Sequence, residues 1–397
     1  MKILHTSDWH VGKVLKGRDR HDEQAAVLSS VAQIARAEDV DLVLVAGNLF
    51  DSAAPSAKAQ GLVMRTLLAL GEAGRQVIAI AGDHDSPALL ESVYRPALSQ
   101  AGVHVLGTPR RPRRGGLLRL RTRADEQVNV AALPFLSPGQ AAQAAEALPL
   151  NLAEHALDHP SQIAAMLQVL TEGFTPDAVN VVMTHTRLAG ARPRDNQSGL
   201  PPDVFPPSAQ YAALGHLHQQ QEIPGPCPIF YCGSPLAIEF SDIQNVPSVL
   251  IISAEPGVRA STTAVPVTGG RALRTLRGSL DEVIAAGDRA DDGYLRVVLA
   301  EPARPGLGDL VREKLPNALE VVLADEYQAQ PMAYGGHTRT GRSPLDVFGD
   351  YLAGQNIVDP RLDKLFAELL TEVTEAAGDG ASDTAEPPAS ATGSQEA

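Results

Sequence analysis

The stretch V-I-A-I-A-G-D-H-D-S, Val77 to Ser86, decides how the chain is read. Five small or β-branched apolar residues run unbroken into Gly82, which is the habit of a strand buried on both faces of a parallel sheet. The glycine lets the backbone turn sharply where the strand ends. Asp83, His84 and Asp85 are then presented at the strand's carboxyl end, where open α/β sheets bind their ligands. Four more segments repeat the pattern: M-K-I-L-H-T-S-D-W-H (Met1 to His10), D-L-V-L-V-A-G-N-L-F-D (Asp41 to Asp51), V-N-V-V-M-T-H (Val179 to His185) and Y-A-A-L-G-H-L-H (Tyr211 to His218). One apolar segment ending in Asp, Asn or His is commonplace. Five in one order imply a single metal-binding mouth.

Imidazole, carboxylate and amide oxygens gathered without thiolates suit Mn, Fe or Zn, and the oxygens tilt the choice toward harder ions. Asp8 and His10 lie two apart, so at a strand's mouth both can face one ion; His216 and His218 have the same spacing. Cys227 and Cys232, in C-P-I-F-Y-C, form no CxxC pair and read as small apolar core residues in a reduced compartment. His5, His21, His104, His155, His159 and His337 fall outside the pattern and read as structural.

At 397 residues the chain has room for two or three domains. No apolar run approaches the roughly 20 residues that span a bilayer, so no membrane partner is expected. The first residues enter a strand with no secretory apolar region, and a cytoplasmic protein is expected. A net charge of −14 argues against unspecific adhesion to nucleic acid over the whole surface. The charge is uneven, because P-R-R-P-R-R-G-G-L-L-R-L-R-T-R (Pro109 to Arg123) holds seven arginines and no acid. Arg110, Arg111, Arg113 and Arg114 are either a solvated hairpin edge that deters aggregation or a rim that contacts phosphates.

In order, strands are expected at Met1 to Thr6, Asp41 to Ala46 and Val77 to Ala81. Helices are expected at Asp22 to Glu38, Ser56 to Ala73 and Pro87 to Ala101. That β-α-β-α-β run implies a parallel sheet. Val103 to Pro134 alternates and is read as antiparallel strands. Helices follow at Ala141 to Leu148 and Ser161 to Leu170, then a buried strand at Val179 to Thr184. Ala212 to Leu214, Ile229 to Cys232 and Val249 to Ser253 are assigned to a second sheet. From Thr268 a small α+β module begins, with helices at Leu280 to Ala286 and Leu307 to Leu315 and strands at Tyr294 to Ala300 and Leu319 to Ala324. The division is 1–267, 268–327, a polar linker 328–343, amphipathic helices within 344–376 and a tail 377–397 with nothing to bury.

The ordered set D-x-H, G-N-x-x-D, G-D-H-D, T-H and G-H-x-H resembles the calcineurin-like metallophosphoesterases, whose pattern is D-x-H, G-D-x-x-D, G-N-H-D/E, H and G-H-x-H. Within that superfamily the chain looks like the SbcD-type nuclease subunits. The likeness rests on the opening M-K-I-L-H-T-S-D-W-H-V-G, G-R-D-R-H-D-E-Q (Gly17 to Gln24), V-M-T-H-T-R-L-A-G-A around His185, A-L-G-H-L-H-Q, and S-P-L-D-V-F-G-D-Y-L (Ser343 to Leu352). It covers most of the chain to about residue 375. The resemblance implies an α/β (α+β) two-sheet sandwich flanked by helices, with a small α+β cap and C-terminal helices. It implies a nuclease acting on DNA ends or hairpins, two divalent metals, most often Mn²⁺, a coiled-coil ATPase partner of the SbcC type, and a homodimer of nuclease subunits within a heterotetramer. By matched position, one metal falls to Asp8, His10 and His218, and the other to Asp83, His185 and His216. Asn48 falls at the bridging position. His84 becomes the acid at the leaving oxygen, with Asp51 orienting its imidazole. The C-terminal helices become the ATPase contact and the α+β module faces DNA.

The chain departs from the pattern at one pair of positions. Asn48 stands where the family has Asp, and Asp83 where it has Asn. A carboxylate bridges two cations with two oxygens, whereas an amide offers one good oxygen and a donor NH2. Asp83 supplying the bridge, a looser hold on the metals, and a weakened nuclease that serves as a scaffold all remain open. A phosphoesterase acting on a small nucleotide or a phosphoprotein is the other class, and the α+β module and arginine rim argue against it.

Overall fold

The strand Leu42–Val45 shows how the layers are built. Leu42 and Leu44 point into a core shared with Val130, Val181 and Tyr211, while Val43 and Val45 pack with Val31, Val63 and Leu67. Side chains alternate across a strand, so this strand separates two apolar layers. The computed structural model describes residues 1–147, 158–192, 199–287, 292–327, 344–354 and 359–378, with only the backbone described for 145–147, 344 and 372–378. It is a two-sheet sandwich with helices on both outer faces.

The first sheet has the order Val258–Pro266, Ser248–Glu255, Lys2–Thr6, Leu42–Val45, Gln76–Ile80, Val103–Leu106. Its last four strands are parallel. Helices His21–Ala37 and Ala57–Leu70 cover its outer face. The second has the order Gln221–Ile223, Ile229–Tyr231, Tyr211–Gly215, Val179–His185, Gln127–Leu133, Leu117–Arg121. Its four central strands are parallel, and His159–Thr171 packs on its outer face. The parallel strands bring five carboxyl ends to one rim.

Two strand assignments differ from the sequence reading. Val103–Leu106 is not part of an antiparallel pair; it extends the first sheet in parallel beside Gln76–Ile80. Ser248–Glu255 belongs to the first sheet, antiparallel to Lys2–Thr6, not to the second. Apolar alternation fits either sheet equally, and only long-range pairing decides between them. Pro87 to Ala101 is helical but broken by a π turn at Leu90–Tyr94.

The module after the sandwich is a three-stranded parallel sheet, Leu273–Gly278, Tyr294–Leu299 and Ala318–Leu323. Helices Leu280–Gly287 and Leu307–Lys314 bury Val283 and Val311 against it. The first of these strands, L-R-T-L-R-G, is too rich in arginine to stand out as apolar. A small apolar seam of Leu15, Ala237, Phe240, Leu273 and Tyr294 joins the module to the sandwich. Glu23 fastens that seam: it accepts bonds from Tyr294 Oη at 2.7 Å, the Arg271 amide at 3.0 Å and the buried Arg20 guanidinium at 3.0 Å.

By contact the chain divides into two compact units, Met1–Gln328 and Ala329–Ala397. In the second, Pro344–Gly354 and Pro360–Gly378 are helices whose Phe348 and Phe366 stack at 4.1 Å. Leu365 and Leu369 on the second helix are half-exposed. The expected linker 328–343 and the tail from 379 lie outside the described residues.

Candidate metal centre

The rim is built from backbone that few residues adopt. Asp8, His10, Asn48 and His216 have φ of 53°, 44°, 54° and 104°. Such conformations cost energy and gather where function over-determines the backbone. Gly47, at φ 97°, accompanies them, and a Cβ there would run into the His185 ring. A Cβ on Gly82 would collide with the Asn48 side chain. Gly47 is therefore demanded by its backbone and by close approach, and Gly82 by close approach.

All seven sequence-derived ligand candidates reach one mouth. Asp8, His10 and His218 form one group whose donor atoms lie within 4.8 Å of one another, and Asp83, His185 and His216 form a second. His10 Nε2 is 4.0 Å from Asp8 Oδ1, is buried, and has no hydrogen-bond partner among the described residues. An orphaned buried imidazole nitrogen beside a carboxylate is costly unless an ion satisfies it. In the second group His185 Nε2 is 2.9 Å and His216 Nδ1 3.4 Å from Asp83 Oδ1. Nitrogen and oxygen donors without thiolates fit divalent cations, so both groups fit the metals expected at these positions.

A second layer fixes the rings. His185 Nδ1 lies 2.7 Å from the Ala46 carbonyl, His218 Nδ1 3.2 Å from Asp242, and His10 Nδ1 3.3 Å from Asp51. Each leaves Nε2 as the inward atom, the usual arrangement around bound metals. The electrostatics follow. Burial alone would raise the Asp83 carboxyl, but the rings of His185 and His216 hold it far below the usual range. Burial likewise opposes the Asp8 carboxylate, and the surrounding histidines keep it low. His185 and His218 are disfavoured as cations by burial, yet Asp83 and Asp242 raise both above the ordinary imidazole value.

His84 stands half-exposed at the edge, and its Nδ1 is 2.8 Å from the backbone carbonyl of Asp51. The expected carboxylate–imidazole pairing is thus replaced by a carbonyl contact. The Asp51 carboxylate instead faces His10, and lies 3.6 Å from Lys13 Nζ. His10, Asp51 and His84 make up a third cluster of donors. Asn48 Oδ1 accepts from the His84 amide at 3.0 Å, and its NH2 donates to Asp8 at 3.1 Å and Asp83 at 2.9 Å.

Three contributors were given no role by the sequence reading. Asp85 is buried and accepts from the amides of Leu49, Phe50 and Gly82, lacing two loops together. Burial raises its carboxyl despite those bonds. The G-D-H-D motif itself was the available signal for it. Asp242 and Lys13 had none, because neither lies at the end of an apolar strand run. The arginine rim is partly absorbed by structure: Arg110 pairs with Glu91, Arg121 with Asp125 and Arg123 with Asp39. Arg111, Arg113 and Arg114 lie in the loop after strand Val103–Leu106, at the same end of the first sheet as the Gly82 turn.

A sandwich of this topology with two histidine–carboxylate groups at one rim defines a metal-dependent phosphoesterase, and the calcineurin-like phosphoesterase family model matches residues 1–220. A second model, described as the type 5 capsule protein repressor C-terminal domain, matches residues 270–356. The chain is 35% identical to the SbcD subunit of the SbcCD nuclease of Bacillus subtilis over 69% of this chain and 71% of that one. It is 33% identical to the corresponding subunit from Rhodobacter capsulatus over 77% of each, and 28% identical to that of Escherichia coli K12 over 72% and 73%. The chain belongs to the SbcD family of nuclease subunits, within the calcineurin-like phosphoesterases. It is a hydrolytic, metal-dependent nuclease subunit. Among the described residues no helix is long and apolar enough to cross a membrane.

Proposed function

We propose that the chain cleaves DNA ends and hairpins in the cytoplasm as the nuclease half of an SbcC–SbcD-type complex, as a 3′ to 5′ exonuclease on duplexes and an endonuclease on single strands and hairpins. The observation that carries the reading is the pair of ligand groups on one rim, with His10 Nε2 buried and unpartnered among the described residues. Asp8, His10 and His218 would hold one cation and Asp83, His185 and His216 the other, with Mn²⁺ favoured by the mixed oxygen and imidazole donors. Bound there, two such cations would supply neutralisation of phosphodiester charge and activation of water at neutral pH.

The chain's own residues do the rest. Asp242, Ala46 and Asp51 fix three imidazoles in one tautomer. His84, its Nδ1 anchored on the Asp51 carbonyl, turns Nε2 outward to protonate the departing 3′ oxygen. The α+β module, residues 268–327, serves as the DNA-facing cap, and Arg111, Arg113 and Arg114 extend a cationic rim for backbone phosphates. The helices within 344–376 offer Leu365 and Leu369 to a coiled-coil ATPase, and the nuclease subunits pair in a heterotetramer. The test is the full chain with its ATPase partner, Mn²⁺ and ATP on end-labelled duplex and hairpin DNA. Stepwise shortening from 3′ ends and hairpin opening are expected. Hydrolysis confined to mononucleotide esters would overturn the reading.

A further inference from the structure

The exchanged pair gives the centre a property of its own. Asn48 is buried and its orientation is dictated by its neighbours: a backbone N–H can only donate, and ionised carboxylates can only accept. The His84 amide therefore holds Asn48 Oδ1, and the NH2 is directed at Asp8 and Asp83 together. Turning the amide over would set donor against donor and acceptor against two acceptors, with three bonds lost, one buried and two partly buried.

The two ligand groups also differ in readiness. In the first, His10 Nε2 has no hydrogen-bond partner among the described residues and stands 4.0 Å from Asp8 Oδ1, while the Asp8 carboxylate itself accepts from Ser7 Oγ at 2.6 Å, Asn48 Nδ2 at 3.1 Å and the His216 amide at 3.1 Å. In the second, one oxygen, Asp83 Oδ1, is already taken by His185 Nε2 at 2.9 Å and by Asn48 Nδ2 at 2.9 Å. The groups thus differ at the imidazole and not at the carboxylate: a cation meets an unpartnered nitrogen on His10, whereas on His185 it must part Nε2 from Asp83 Oδ1, 2.9 Å away.

We propose that Asn48 clasps Asp8 to Asp83 instead of bridging two metals, so the centre loads as two separate sites: a tight one at Asp8, His10 and His218, and a weaker one at Asp83, His185 and His216. This rests on the metal-centre reading above. The centre holds one cation at low metal and gains the second only as the metal concentration rises, which makes occupancy of the second site the step that cellular metal supply controls.

The test titrates metal-free full-length protein with Mn²⁺, reading bound ion from the loss of the free Mn²⁺ paramagnetic resonance signal and heat by calorimetry. Two classes of one equivalent each are expected, their affinities about tenfold or more apart. Asp83→Asn is expected to remove the weaker class and leave the tight one, and Asp8→Asn to do the reverse. Asn48→Asp is expected to bring the two affinities together. The titration of the unaltered protein decides the matter even where a variant fails to fold. One class of two equal equivalents overturns this inference while leaving the metal centre standing. The absence of any saturable binding overturns both.

Discussion

At the residue scale, histidines that look alike in sequence have different duties. His84 Nδ1 rests on the Asp51 carbonyl and its Nε2 lies 3.9 Å from Asp83, so His84→Ala is expected to abolish cleavage while bound metal, counted by mass spectrometry, stays unchanged. Loss of an equivalent would make it a ligand. Asp242 belongs to neither ligand group but fixes His218 Nδ1. Asp242→Ala is therefore expected to weaken metal binding by roughly 10- to 100-fold, with Asp242→Asn recovering part of it. Unchanged affinity in the alanine variant would show that the ring holds itself. These roles were unequally legible. The ligands and His84 announce themselves by lying at strand ends. Asp242 comes near His218 only because Phe240–Gln244 folds back as a short helix.

At the element scale, the loops after the strands are joined by buried carboxylates. Asp85 satisfies three amides from two loops. Asp85→Ala leaves them unpaired at about 1 kcal/mol or more each, so a loss of about 3 kcal/mol is expected in denaturant unfolding. A loss under about 1 kcal/mol would mean the loops do not depend on it. The seam between sandwich and cap depends on Glu23. Burial opposes its charge, yet Arg20, the Arg271 amide and Tyr294 hold its pKa below the usual 4.5. A depressed carboxyl stabilises above its unfolded pKa, and that contribution vanishes as pH falls through the folded value. Hydrogen exchange across Leu273–Gly278 and Tyr294–Leu299 is thus expected to quicken relative to the sandwich core below about pH 4.5. Glu23→Gln should remove that pH dependence. An identical acid response in this variant would assign the loosening to another group.

At the scale of the whole molecule, the sandwich carries the candidate metal centre and the C-terminal helices carry apolar surface that is exposed among the described residues. Leu365 and Leu369 are half-exposed on the helix whose Phe366 stacks on Phe348. A chain ending at residue 376 is expected to retain the ATPase partner in a pull-down, and one ending at residue 342 to lose it. Retention by the shorter chain would move the contact elsewhere. The net charge of −14 places the burden of DNA binding on local cationic features, so nuclease affinity should fall steeply with salt only while Arg113 and Arg114 remain. An unchanged salt slope in the double alanine variant would remove them from the interface.

The sequence by itself determined the parallel strands, the donor residues that gather at the rim and the family, because buried parallel strands need unbroken apolar runs and metals need donors of fixed type at the strand ends. Local pattern carries both requirements. It did not determine which sheet receives Val103–Leu106 or Ser248–Glu255, since either sheet accepts the same apolar residues and the choice lies in pairing across long stretches of chain. Nor did it determine what Asn48 does. Read alone, the Asn48 and Asp83 exchange leaves a bridge, a looser site and a decayed one open, with the first two favoured because the other candidate ligands and His84 are present. Only the tertiary structure sets the His84 amide against one end of Asn48 and two carboxylates against the other, and hydrogen-bond polarity then leaves the side chain a single orientation.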